Sequence, residues 1–300
     1  MQRYIFAVFL LGSALLAGCG GSGEVGSVSR QPLNNIGQVD IAHVHSLYPS
    51  GHTASVAFNS SAFKPSPFPT TTIDEPTYYG GPVLQYPRIY LSYWDWTKDP
   101  ANERPYLLSF MQGLPGSQWL NILTQYYGTA GYIANTSHEF KGSWNDPNPE
   151  PSQPDTQLTA AVERVEAHFG YDQNSLYVIA VDVAQSQDEC AFHGYITDAQ
   201  GHNVPYAFLP YESAFGTACG QNAMNPGAAG INDGVSINAG HEIAEAITDP
   251  FFTGWETSDG FELADMCKTT VGLQGFTTGQ FALQGLWSDT NLKCIFWYPQ

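Results

Sequence analysis

Positive charge is scarce in this 300-residue chain: 10 Lys and Arg stand against 28 Asp and Glu, for a net charge of −18, and only 13% of residues are charged. A surface so short of cations cannot neutralise a run of phosphates, which argues against a nucleic-acid partner. No C-x-x-C spacing occurs among the five cysteines, which argues against cysteine metal ligation. Apart from the N-terminal segment, no stretch is long and apolar enough to span a membrane, and no internal repeat marks a repeat architecture. What is present is a 43% hydrophobic fraction, ample for a buried core, with 17 Tyr, 17 Phe, 7 Trp, 30 Gly and 20 Pro. That texture suits an exported protein with long loops, folded as one large or two small domains.

The address is at the N-terminus. Arg3 precedes an apolar run over residues 4–16, and Leu16-Ala17-Gly18-Cys19 matches the lipobox at which bacterial lipoproteins are cleaved and acylated on cysteine. Residues 1–19 are therefore expected to be signal peptide and lipobox, with Cys19 the first mature residue and the lipid the sole link to a membrane. Gly20 in place of aspartate favours the outer membrane, where the cell has one. The other four cysteines, Cys190, Cys219, Cys267 and Cys294, suggest two disulfides with three possible pairings. Cys190 with Cys219 and Cys267 with Cys294 are favoured, because they close the shorter loops on either side of His241.

The most informative stretch is residues 241–250, HEIAEAITDP. On a helix, His241, Glu245 and Asp249 share one face and Ile243, Ala246 and Ile247 the opposite one. His241 and Glu245 at i and i+4 can reach one ion, and Glu242 stands where a zinc hydrolase keeps its general base. The segment is a variant of the H-E-x-x-H helix with glutamate as second ligand. The bland alternative is an amphipathic helix with a solvated acidic face. Asp249-Pro250 ends the helix. Beyond it, GWETSDGFELADMC offers Glu262 or Asp265 as third ligand. Asp265 lies 24 residues after His241 (265 − 241), close to the first-to-third ligand distance of gluzincin peptidases. Two carboxylates and one imidazole make a harder site than the two-histidine version, which keeps manganese and calcium as alternatives to zinc, the first choice.

Residues 20–75, rich in Gly, Ser, Pro and Thr, read as a tether; His43 and His45 within it have the spacing of an H-x-H metal pair but read first as loop histidines. From residue 76 the chain reads as one α+β domain with a mixed sheet and a zincin-like active-site helix. Strands are expected near residues 88–96, 176–183 and 206–211, with two short ones over 280–297. Helices are expected near 102–111, 117–127 (stripe Trp119, Leu120, Leu123, Tyr127) and up to about 169, the last capped by Asp155 or Thr156. His193 is read as a loop residue and a candidate for orienting a substrate carbonyl.

Taken together, YYGGPVL at 78–84, CAFHGY at 190–195, VPYAFLPY at 204–211, AGHEIAEAITDP at 239–250, GFELADMC at 260–267 and LQGLWSDTNLKC at 283–294 resemble the EXORDIUM-like (phosphate-induced) proteins of plant cell walls and their bacterial relatives. The resemblance covers most of residues 78–295 and implies an extracellular protein of the cell surface, with no settled reaction. It points to His241, Glu242, Glu245, Glu262, Asp265 and the four cysteines. Asparagine can replace Asp249 in plant members, which removes Asp249 from the first rank.

The expectation is a cell-envelope lipoprotein acting as a zinc-dependent peptidase on peptide or cell-wall-associated substrate. Its ion would be held by His241, Glu245 and Asp265 or Glu262, with Glu242 as base. The rival is a non-catalytic surface or cell-wall module in which the same residues form a structural metal site or a hydrogen-bond network, and Trp94, Trp96, Trp255 and Trp287 serve sugar or peptide binding. A third reading, a metal-free glycoside hydrolase, needs two carboxylates facing across a cleft.

Overall fold

The computed structural model describes residues 74–149, 154–184 and 190–300. Cys19, His43, His45 and most of the expected tether lie outside the described residues.

Strand β1 (Arg88–Trp94) is apolar on both faces, and so pairs on both edges in the middle of a sheet. Ile89, Leu91 and Tyr93 enter one core while Tyr90 and Trp94 enter another. Helix α1 (Glu103–Gly113) follows, then strand β2 (Phe140–Asp146), helix α2 (Pro154–Phe169) and strand β3 (Ser175–Val181). Strands β4 (Phe192–Thr197) and β5 (Asn203–Leu209) form a hairpin whose turn is closed by Asp198. One Asp198 oxygen accepts from the Gln200 and His202 amides, and the other faces His202 Nδ1 at 2.7 Å. The sheet order is β2-β1-β3-β5-β4, parallel except for the antiparallel edge strand β4. The sheet is thus mixed, as expected, and helices cover both faces. On one side α2 packs Leu158, Ala161, Val162 and Val165 against Tyr90, Tyr177, Ile179 and Phe208. On the other lie α1 and helix α3 (Asp233–Thr248), the helix that carries His241.

Two local readings change. Residues 120–125 form a 3-10 helix, whose three-residue turn aligns Leu120, Leu123 and Tyr126. Tyr126 is therefore the core residue, and Tyr127 is exposed at the start of a two-residue ladder. Helix α2 begins at Pro154, so Asp155 and Thr156 lie within its first turn rather than preceding it.

Helix α3 is buried on every side. Hairpin β6 (Val271–Phe276) with β7 (Gly279–Gln284) covers the face that the sheet leaves open, so the solvated acidic face of an ordinary amphipathic helix does not exist here. Gly234 lets the first turn of α3 approach the Cys219 carbonyl, where a Cβ would stand 1.9 Å from that oxygen. At the other end Asp249 Oδ1 accepts from the Thr253 and Gly254 amides, both at 2.7 Å, which turns the chain out of the helix. The C-terminal segment adds a short ladder of β8 (Leu286–Ser288) with β9 (Lys293–Ile295).

Disulfides join Cys190 to Cys219 and Cys267 to Cys294, with Cα separations of 5.4 and 5.6 Å, the pairing favoured above. Non-reducing peptide mapping should recover those two linked pairs alone; a peptide linking Cys190 or Cys219 to Cys267 or Cys294 would refute the connectivity. No helix among the described residues is long and apolar enough to cross a membrane.

Candidate metal centre

Three elements bring the site together. Helix α3 supplies His241, Glu242 and Glu245 on successive turns, the loop after it supplies Glu262 and Asp265, and edge strand β4 supplies His193. The two-residue alternation of β4 explains His193: Phe192 and Ile196 join the α2 core, so His193 points the other way, onto α3. His193 is accordingly a buried strand residue and not a loop histidine.

His241 Nε2 lies 2.9 Å from Glu245 Oε2 and 3.7 Å from Asp265 Oδ1. The short approach to Glu245 is an ion-pair contact, and it shares its space with the Asp265 carboxylate on the same side of the ring. On the far side of the ring, His241 Nδ1 meets Gln284 Oε1 at 3.1 Å. Gln284 is itself fixed: its side-chain amide donates to the Ala264 carbonyl, and its backbone carbonyl accepts from Trp119 Nε1 at 2.8 Å. This is the outer-shell support that sets a ligating histidine's tautomer, with Nδ1–H donating and Nε2 left for an ion. Glu245 is held just as firmly, because Oε1 accepts from the Ala264 and Asp265 amides at 3.2 and 3.0 Å and leaves Oε2 facing the histidines.

His193 Nδ1 stands 3.2 Å from Glu242 Oε2 and 3.9 Å from Glu245 Oε2, while its Nε2 is 3.5 Å from Glu262 Oε2. Neither oxygen of Glu262 has a hydrogen-bond partner among the described residues. Asp265, not Glu262, is therefore the acid that joins His241 and Glu245. Asp249 has turned to capping the helix end. Ligand atoms of His241, Glu245 and Asp265 all fall within 4.8 Å of one another, as do those of His193, Glu242 and Glu245.

The electrostatics are severe. None of these six residues is more than 6% exposed, and a buried carboxylate is costly unless paired, hydrogen-bonded or bound to a metal. Burial lowers the His241 pKa, but Glu245, Glu242 and Asp265 outweigh it and lift the imidazole to about 10. Burial, reinforced by Glu245, Asp249 and Asp265, drives Glu262 well above the usual carboxylate range. Lys268 Nζ lies 3.4 Å from Asp265 Oδ1. Without an ion, the site holds its charge down by keeping protons that a divalent cation would displace.

Phe251 and Phe252 border the site from the turn after α3, Phe252 lying 5.2 Å from the His193 ring between centroids and Phe251 the same distance from Tyr195. The tryptophans needed by a surface-binding module are elsewhere. Trp94, Trp255 and Trp287 are buried, and Trp96 packs against Tyr93 and Tyr211. Sequence reasoning missed Gln284, since nothing in local spacing ties it to a histidine 43 residues away. No family model, curated protein or solved structure matches this chain.

Proposed function

We propose that the chain is a cell-envelope lipoprotein with a metal-dependent hydrolytic centre acting on peptides or cell-wall peptides, zinc being the preferred ion. The observation that carries this reading is the convergence of His241 Nε2, Glu245 Oε2 and Asp265 Oδ1, with His241 Nδ1 already committed to Gln284. One nitrogen and two carboxylates suit zinc and also admit manganese. An ion in such a set lowers the pKa of water to about 7 and polarises a carbonyl.

The chain's own side chains do the rest. Gln284 and the Ala264 and Asp265 amides hold His241 and Glu245 in place. Glu242 and Glu262 both face His193, and this group receives the proton of the attacking water. The water oxygen forms the new C–O bond, the C–N bond breaks, and the proton leaves on the amine. The resemblance to EXORDIUM-like proteins supports the extracellular setting.

A second reading, a structural metal site, draws on the near-complete burial of the ligands. Two measurements separate the readings. Elemental analysis of the full chain should find bound metal that His241→Ala loses, and chelator should abolish cleavage of unstructured polypeptides or cell-wall peptides. Bound metal with no chelator-sensitive cleavage selects the structural site; a chain that stays metal-free when offered zinc ends both.

The anchor has its own test. Wild-type protein should partition with membranes and carry lipid on Cys19, and Cys19→Ser should release it unacylated. Unmodified, fully soluble wild-type protein from its native cells would rule the anchor out.

A further inference from the structure

Glu245 belongs to two ligand sets at once. Its Oε2 is 2.9 Å from His241 Nε2 and 3.9 Å from His193 Nδ1, with Oε1 removed from play by two backbone amides. We infer that the centre seats two divalent ions bridged by Glu245, the second held by His193 Nδ1, Glu242 and Glu245. The inference rests on the hydrolytic metal-site reading above and extends it, making Glu242 a ligand and leaving Glu262 to receive the proton.

Two observations carry it beyond a cluster of acids. First, both histidines are presented alike. Each turns one nitrogen towards Glu245 and the other towards a buried side-chain oxygen, Gln284 Oε1 at 3.1 Å for His241 and Glu262 Oε2 at 3.5 Å for His193. A histidine that only paired with Glu242 would not need a carboxylate behind it, whereas a ligating one does. Secondly, Glu262 is 1% exposed, with neither oxygen hydrogen-bonded among the described residues, and it is aimed at His193. That is an expensive arrangement in a core unless cations enter nearby. A carboxylate-bridged pair is also an arrangement that two-metal hydrolases use, aminopeptidases among them.

The test counts ions. The full chain, disulfides intact, is stripped with chelator, dialysed against a small excess of zinc, and analysed for zinc per chain. The wild type should hold two ions, and His193→Ala and Asp265→Asn should each hold one, with unchanged circular dichroism. If His193→Ala does not fold, His193→Gln serves in its place. Loading the wild type with manganese gives a second readout, the spin-coupled spectrum of an adjacent ion pair. Saturation at one zinc, two zincs retained in His193→Ala, or only the six-line spectrum of isolated manganese would each overturn the second site while leaving the first. A chain that binds none overturns both.

Discussion

Glu242→Gln should lower chelator-sensitive peptide hydrolysis by roughly two to four orders of magnitude, the range expected when a group that handles the proton or its activation is lost. The substitution keeps the side chain's size, and its amide oxygen can still accept from His193 Nδ1, which lies 3.2 Å from the glutamate oxygen. The fold should hold, since α3 is anchored by its apolar side and by the Asp249 cap. Glu242 lies outside the His241, Glu245 and Asp265 set, so the ion there should remain. In the two-ion centre the variant loses its second zinc together with activity. A fall in activity with zinc content unchanged would assign Glu242 the role of base alone. A variant as active as its parent would leave neither role standing.

How much of this centre was legible in the sequence depends on how far apart its parts lie along the chain. His241, Glu242 and Glu245 stand on a helix, where i and i+4 is itself a geometry, and Asp249-Pro250 marked the stop that the structure keeps. The buried strands were legible for a related reason: β1 and β3 are apolar on both faces because both faces meet helices. What could not be read were relations set by tertiary packing. His193 is 49 residues before Glu242, and only the edge position and register of β4 turn it inward. Gln284 sits at the end of a hairpin whose docking over α3 buries the face that the bland alternative left to solvent. The Tyr126 and Tyr127 exchange is subtler: the apolar stripe was seen, but a period of three rather than 3.6 decides which tyrosine enters the core.

Stability should fall as pH rises from about 5 to above 7, and Glu103 should account for about 3 kcal/mol of that fall. Glu103 opens α1 and is 1% exposed, receiving hydrogen bonds from the Glu212 and Ser213 amides and from Ser213 Oγ, at 3.3, 3.1 and 2.9 Å. Burial raises its pKa to about 7 against an ordinary 4.5; the Ser213 and Glu212 bonds pull the other way without matching the cost of burial. The folded carboxyl therefore keeps its proton through a range in which the unfolded one has lost it. The folded state binds more protons between the two values, so each pH unit there costs about 1.36 kcal/mol. The penalty is absent below about 4.5 and complete above about 7. Glu212, also raised by burial and by Glu103, contributes with the same sign and remains after Glu103 is changed. Glu103→Gln keeps an oxygen for Ser213 but has no proton to lose, so its urea midpoint should drop less with pH than the wild type's. Relative to the wild type, the variant should gain stability as pH rises from 5 to 8. Parallel pH profiles for the two proteins would show that the buried carboxyl does not set this slope.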